Sequence, residues 1–92
     1  MNFRLKIVSC EYLDDVPTIR HEYAMKDAIE FAEIVQSSMS RISDMLKFDT
    51  DYRGTFQVEL KVFVDNELRA TQYFRRSESE NSVITSWRVC NY

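Results

Sequence analysis

The sequence predicts an α+β fold in which one long helix packs on one face of a mostly antiparallel five-stranded sheet, in the order β-β-α-β-β-β. Five segments alternate apolar and polar residues with a period of two, which is the pattern of half-buried strands. One segment between the second and third of them repeats apolar residues every three or four positions, which is the pattern of an amphipathic helix. Because the chain has only 92 residues, we expect a single domain over residues 1–92.

The first two strands are predicted on either side of a turn. Apolar and basic residues alternate over residues 3–7, and residues 14–17 then supply two aspartates and the one proline of the chain, which favour a turn. A second alternation covers residues 19–25. Its inward side is predicted to carry Ile19, His21, Tyr23 and Met25, and its outward side Arg20, Glu22 and Ala24.

The helix is predicted from about Ala28 to Leu46. Asp27 and Glu30 have the spacing of a capping box, in which the first side chain accepts hydrogen bonds from the first turn. Acidic residues in the first turns also suit the positive end of the helix dipole. The predicted apolar stripe consists of Ala28, Phe31, Ala32, Val35, Met39, Ile42 and Leu46.

The last three strands are predicted over residues 56–64, 68–75 and 83–89. A three-residue hairpin loop over residues 65–67 is expected, because a two-residue loop would turn Arg69 and Arg75 into the core. The predicted inward residues of these strands are Phe56, Val58, Leu60, Val62, Val64, Leu68, Ala70, Gln72, Phe74, Val83, Thr85, Trp87 and Val89.

The sheet face away from the helix is predicted to be basic, although the whole chain carries a net charge of −3. Only Glu22 and Glu59 oppose the cations in this arrangement, and aromatic residues lie among them. Arginine and tyrosine are enriched at interface hot spots, so this face is the candidate partner-binding surface. Its predicted contact residues are Arg4, Lys6, Arg20, Lys61, Arg69, Tyr73, Arg75 and Arg88.

The sequence contains no pattern that predicts an enzyme, a cofactor or a metal site. His21 is the only histidine, and its predicted inward position favours a structural role over general-base catalysis. Gly54 is the only glycine, so no glycine-rich loop could bind phosphate. Cys10 and Cys90 lack zinc-ligand spacing, and a disulfide between them would require their strands to be neighbours.

The expected location is the cytoplasm. No apolar run approaches the roughly 20 residues that a membrane-spanning helix needs, and the first residues lack a signal-peptide pattern. We therefore expect no membrane partner. Because no pattern predicts an enzyme, we also expect no small-molecule substrate. The expected partner is a protein or a ribonucleoprotein, because only a local patch of this acidic chain is basic.

In size, acidity, lack of motifs and one-helix-on-a-sheet architecture, the chain resembles small phage-encoded anti-CRISPR proteins, in particular inhibitors of type I surveillance complexes. These proteins share no common motif, so the resemblance assigns no residue. It implies an inhibitor in the host cell cytoplasm that docks on a CRISPR–Cas ribonucleoprotein and blocks target DNA binding. The Cas proteins, or the crRNA that they hold, would then contact the basic face.

Three alternatives stay open from the sequence. The basic face could bind single-stranded nucleic acid directly, by stacking bases on aromatic rings and holding phosphates with cations. The chain could self-associate through an edge strand, for which residues 83–89 are the candidate. The interface could also be the acidic helix face around Asp27, Glu30 and Glu33, which would then act as a mimic of DNA phosphate.

Overall fold

A computed structural model describes residues 1–10, 18–48, 55, 57–76 and 83–89. It confirms the predicted α+β class and the order β-β-α-β-β-β. The elements are β1 (Phe3–Cys10), β2 (Thr18–Met25), α1 (Ala28–Lys47), β3 (Gln57–Val64), β4 (Glu67–Arg76) and β5 (Val83–Val89).

The sheet has the strand order β2-β1-β3-β4-β5, and each strand is antiparallel to its neighbours. Because β1 lies between β2 and β3, these two strands run parallel to each other. A connection between parallel strands must cross one face of the sheet, which usually takes a helix. The 20-residue helix α1 makes this crossing. The sheet therefore has an inner face, which α1 covers, and an outer face on the opposite side.

The core lies between α1 and the inner face. Leu5 and Ile7 of β1 and Val58 and Leu60 of β3 are fully buried, because alternation turns every second residue of each strand toward the helix. The helix contributes a matching buried face. The rings of Phe3 and Phe31 stack with centroids 5.1 Å apart. The buried apolar residues of α1 are Phe31, Ile42 and Leu46.

The start of α1 confirms Asp27 as the N-cap, which is the first half of the predicted capping box. The Asp27 carboxylate accepts hydrogen bonds from the backbone N–H groups of Ile29 (2.9 Å) and Glu30 (3.0 Å). The predicted apolar stripe is wrong at two positions, because Ala28 and Ala32 are exposed. Ala28 lies at the start of α1, before Phe31, which is the first buried residue of the helix. Ala32 is rotated by about a quarter of a turn around the helix axis from the line that joins Phe31 and Ile42. Ser38 occupies that line instead and is buried.

The β3–β4 hairpin differs from the prediction of a three-residue loop. Its turn has two residues, Asp65 and Asn66, and Val64 pairs with Glu67. Both turn residues have positive φ, 49° and 68°, which is the conformation of the tight turn that matches strand twist and favours Asn and Asp. Asn2 fastens the turn, since its N–H donates to the Asp65 carboxylate at 2.8 Å and its carbonyl accepts from the Asp65 N–H at 2.8 Å.

A bulge in β4 explains why the shorter loop does not bury the arginines. The register shifts between the pairs Phe63–Leu68 and Val62–Ala70, with Arg69 as the extra residue. A one-residue insertion reverses the side-chain alternation. The inner-face residues Val58 and Val62 therefore still pair with Phe74 and Ala70, as the prediction requires. Leu68 instead pairs with outer-face Phe63, so its predicted inward position is wrong.

A second bulge, between β1 and β2, corrects the prediction for Ile19. Ile7 pairs with His21, but Val8 pairs with Ile19, so Arg20 is the extra residue. Ile19 therefore shares the outer face with Val8 and is 56% exposed. His21 keeps the predicted register on the inner face, yet its side chain is exposed, because β2 is the last strand of the sheet on that side.

The strand order also bears on the two cysteines. Cys10 is buried at the end of β1, where it pairs with Gln57. Cys90 lies outside the described residues. β3 and β4 separate β1 from β5, so these two strands are roughly 14 Å apart at about 4.8 Å per strand. β1 and β5 are therefore not neighbours in this sheet, whereas the predicted condition for a disulfide requires neighbouring strands.

Among the helices that the structure describes, none combines the length and the apolar character needed to cross a membrane.

Candidate interaction surface

The outer face presents one polar row that crosses all five strands. Directly opposed residues in an antiparallel sheet point to the same face, and the register places one residue of each strand in line. We call this line the central row. It consists, from β2 to β5, of Glu22, Lys6, Lys61, Thr71 and Arg88.

The central row contains a like-charge pair. Lys6 of β1 lies directly opposite Lys61 of β3, and like charges in this position destabilise a sheet. The Lys61 ammonium is 3.6 Å from the Glu59 carboxylate, which offsets part of the repulsion. Thr71, the next residue of the row, is only 4% exposed. The core does not require two opposed lysines here, so their positions call for another explanation.

An aromatic ring holds two cations beside the central row. The Arg4 guanidinium lies over the Phe63 ring at 4.7 Å from its centroid, and the Lys6 ammonium is 5.8 Å from the same centroid. Arg4 Nε also lies 3.6 Å from a Glu22 carboxylate oxygen. Cations over an aromatic face are attracted by the ring quadrupole. Phe63 therefore keeps both cationic groups together in a half-exposed cluster.

A second polar network joins β3 and β4 on the same face. Arg75 Nη2 donates to Gln57 Oε1 at 3.1 Å, and Gln57 Nε2 donates to Glu59 Oε1 at 2.8 Å. Because Glu59 also contacts Lys61, this one carboxylate engages two neighbouring side chains. The network orders the side chains of the face and leaves Arg75 exposed at its edge.

Arg20 and Arg69 differ from the other predicted contact residues, because each is the extra residue of a bulge. The alternation that groups the other cations therefore does not assign them to the outer face. Arg69 Nη2 lies 2.8 Å from a carboxylate oxygen of Glu67. Glu67 pairs with Val64, an inner-face residue. Both arginines are exposed.

The structure thus brings six of the eight predicted residues together by register. Two polar residues of the face, Thr71 and Gln57, are absent from the predicted contact residues, although alternation assigns both to the outward side. Thr71 is uncharged, and its place between Lys61 and Arg88 follows from the strand register, which the sequence does not give. Gln57 is identified by its hydrogen bonds to Arg75 and Glu59, which the sequence does not give either. The six grouped residues are Arg4, Lys6, Lys61, Tyr73, Arg75 and Arg88.

The outer face is not uniformly accessible. Val8 is 4% exposed and Cys10 is 9% exposed, both on the outer-face side of β1. The basic residues Arg4 and Lys6, nearer the start of the same strand, are half-buried. The accessible basic area therefore centres on the start of β1, the central row and the Arg75 edge.

A pocket of about 320 Å³ opens at the end of the sheet where β1 begins and β2 ends. Among the described residues that line it, none is a His, Cys, Asp or Glu. Within the described residues, no group of three or more His, Cys, Asp or Glu side chains could hold a metal ion. The lining consists of Asn2, Phe3, Arg4, Ala24, Met25, Lys26 and Asn66.

Comparisons with known proteins identify no relative. No family model matches the chain, and neither the curated proteins nor the solved structures contain a significant match.

Proposed function

We propose that this chain is a small non-enzymatic binding protein that docks its outer sheet face on an anionic surface of a larger partner. The observation that carries the proposal is the directly opposed pair Lys6 and Lys61 in the central row. A like-charge pair reduces the stability of the isolated chain. An anionic partner would relieve this repulsion, so the presence of the pair on an accessible face favours a role in binding.

The charge distribution favours a protein or a ribonucleoprotein over a long nucleic acid. The chain carries a net charge of −3, and the exposed side of α1 carries Glu30, Glu33 and Asp44. A long polyanion that extends past the outer face would meet this negative field. A folded partner needs only a local anionic patch, which acidic side chains or a short stretch of bound RNA can supply.

The specific form of the proposal is a phage inhibitor that acts in the host cytoplasm. It would dock on a CRISPR–Cas surveillance complex through Cas proteins and crRNA phosphates, and it would block target DNA by occupying its binding surface. This form follows the overall resemblance to small anti-CRISPR proteins. Inhibition by occlusion needs neither a catalytic group nor a cofactor.

A pull-down from a bacterial lysate that contains a type I CRISPR–Cas system tests the proposal. We would compare the wild-type chain with Lys6→Glu/Lys61→Glu, before and after nuclease treatment. The matched control is Arg41→Glu/Lys47→Glu, which makes the same charge change at two exposed positions of α1. We expect the wild type and the control to retain the Cas complex after nuclease, and the double lysine variant to lose it.

Two results would contradict the proposal. Retention of the complex by a folded Lys6→Glu/Lys61→Glu variant would show that the outer face is not the contact. Loss in the α1 control alone would place the contact at the exposed cations Arg41 and Lys47 of α1 and not on the outer face. Circular dichroism of each variant establishes that the fold is intact before binding is compared.

Direct binding of single-stranded nucleic acid is the second candidate function. The contacts of Arg4 and Lys6 with the Phe63 ring favour it, because single-stranded nucleic acid is bound by aromatic rings that stack bases and by cations that hold phosphates. Fluorescence anisotropy with a labelled single-stranded DNA or RNA, repeated at several salt concentrations, tests this function. Binding that weakens steeply with salt and with Phe63→Leu would support it. Absence of binding at low salt would exclude it.

A further inference from the structure

The two edges of the sheet are built differently. β2 forms one edge and β5 the other. An edge strand presents unpaired backbone N–H and C=O groups, and these can pair with a strand of another chain. Natural proteins limit such pairing with bulges and with charged residues on the edge.

The β2 edge has both of these protective features. The bulge at Arg20 interrupts its pairing with β1, and Glu22 adds a second charge within the strand. β5 has a continuous register with β4 over all seven residues. Arg88 is its only charged residue, and Val89 is 65% exposed. In the described sheet, β5 is therefore the edge that lacks the features which prevent strand pairing.

We propose that β5 pairs antiparallel with β5 of a second copy of this chain, so that two sheets join into one of ten strands. A closed dimer of identical chains has a two-fold axis. When this axis is perpendicular to the sheet, one residue of the strand must lie opposite itself. Pairing the full length of Val83–Val89 places Ser86, the middle residue, at the axis.

The residue order of β5 suits this register. Arg88 lies opposite Ile84 of the second copy, so the two guanidinium groups do not face each other. Ser86, the residue that meets its own copy at the axis, is exposed and uncharged, so no charge repulsion arises where the two strands are closest to the axis. A register centred on Arg88 would instead oppose two like charges and would pair only three residues per strand.

The two-fold axis has a consequence for the surface. Rotation about an axis perpendicular to the sheet keeps the outer faces of both copies on the same side, and both helices α1 on the other. The dimer would therefore present two central rows on one continuous face. This dimer forms from the isolated chain, whatever partner the outer face binds.

Sedimentation velocity of the purified chain, over a series of concentrations, tests the dimer in the absence of any partner. We would compare the wild type with Ser86→Glu, which places two carboxylates opposite each other at the axis. The matched control is Thr18→Glu, at another exposed hydroxyl residue on the β2 edge. We expect a concentration-dependent dimer whose dissociation constant rises by up to about fivefold in Ser86→Glu and is unchanged in the control.

A mixing experiment tests the register itself. Ser86→Glu and Ser86→Lys should each dimerise poorly, whereas their equimolar mixture should form a heterodimer, because opposite charges then meet at the axis. A wild type that stays monomeric at all concentrations would overturn the inference. A dimer that Ser86→Glu leaves intact, one that Thr18→Glu disrupts, or a mixture that fails to associate would equally overturn it.

Discussion

The two faces of the sheet are made by the same strands but have different chemistry. On the inner face, Leu5, Ile7 and Leu60 are fully excluded from solvent. On the outer face, their direct neighbours in sequence, such as Lys6 and Lys61, are half-buried cations. Since alternation sends successive residues to opposite faces, one strand contributes to the core and to the candidate interface in alternate positions.

This difference predicts that substitutions at two adjacent positions of one strand have separate effects, one on stability and the other on binding. A substitution on the inner face removes apolar contacts that hold α1 to the sheet. A substitution on the outer face changes charges and hydrogen bonds that α1 does not cover. Adjacent residues of β3 offer the sharpest comparison, because they share the backbone environment and differ in face.

The largest expected effect is that of Leu60→Ala. Leu60 is fully buried in the core cluster, so truncation should lower the free energy of unfolding by about 2–5 kcal/mol through lost burial and a cavity. The matched variant Lys61→Ala, one residue further on, should change it by less than about 1 kcal/mol. Urea unfolding monitored by circular dichroism measures both.

Similar losses for the two variants would contradict the separation of the faces. They would mean that Lys61 packs as part of the core, and that the outer face is structural instead of available for binding. A small loss for Leu60→Ala alone would mean that α1 does not cover β3 as tightly as the burial indicates.

A smaller effect of opposite sign is expected at Gln72. This inner-face residue is 2% exposed, and its side-chain oxygen has no hydrogen-bond partner within the described structure. A buried acceptor without a partner costs stability, whereas an apolar side chain of similar size would not. Gln72→Met should therefore raise the free energy of unfolding by about 1 kcal/mol. A decrease in the urea midpoint would show that the amide has an essential partner.

The sequence predicted the element types, their order and most of the outer-face group, because these follow from alternation alone. Within a strand that has no bulge, every residue next to an inward apolar residue points outward. Lys6, Lys61 and Arg88 could therefore be assigned to the outer face without knowledge of the strand order. The cap at Asp27 was equally predictable, since it depends on local spacing.

The errors of face within the sheet occurred where one inserted residue changes the alternation. The bulges at Arg20 and Arg69 depend on the pairing partner, which the sequence of a single strand does not specify. Ile19 and Leu68, each next to a bulge, were assigned to the wrong face for this reason. The directly opposed lysines were likewise unpredictable, because their meeting requires the register of β1 on β3.

The smallest expected effect concerns that opposed pair, and a double-mutant cycle isolates it. Lys6→Gln alone also removes a contact with Phe63, and Lys61→Gln alone removes the contact with Glu59. Neither single variant therefore measures the repulsion. The cycle of both single variants and the double variant subtracts these other contacts, provided that they are independent.

The coupling energy should be repulsive, by roughly 0.2–1 kcal/mol at low salt, and it should shrink as added salt screens the two charges. Urea unfolding of the four proteins at two salt concentrations measures it. A coupling of zero would mean that Glu22 and Glu59 already neutralise the lysines. The pair would then cost the isolated chain nothing, and no anionic partner would be needed to explain its presence.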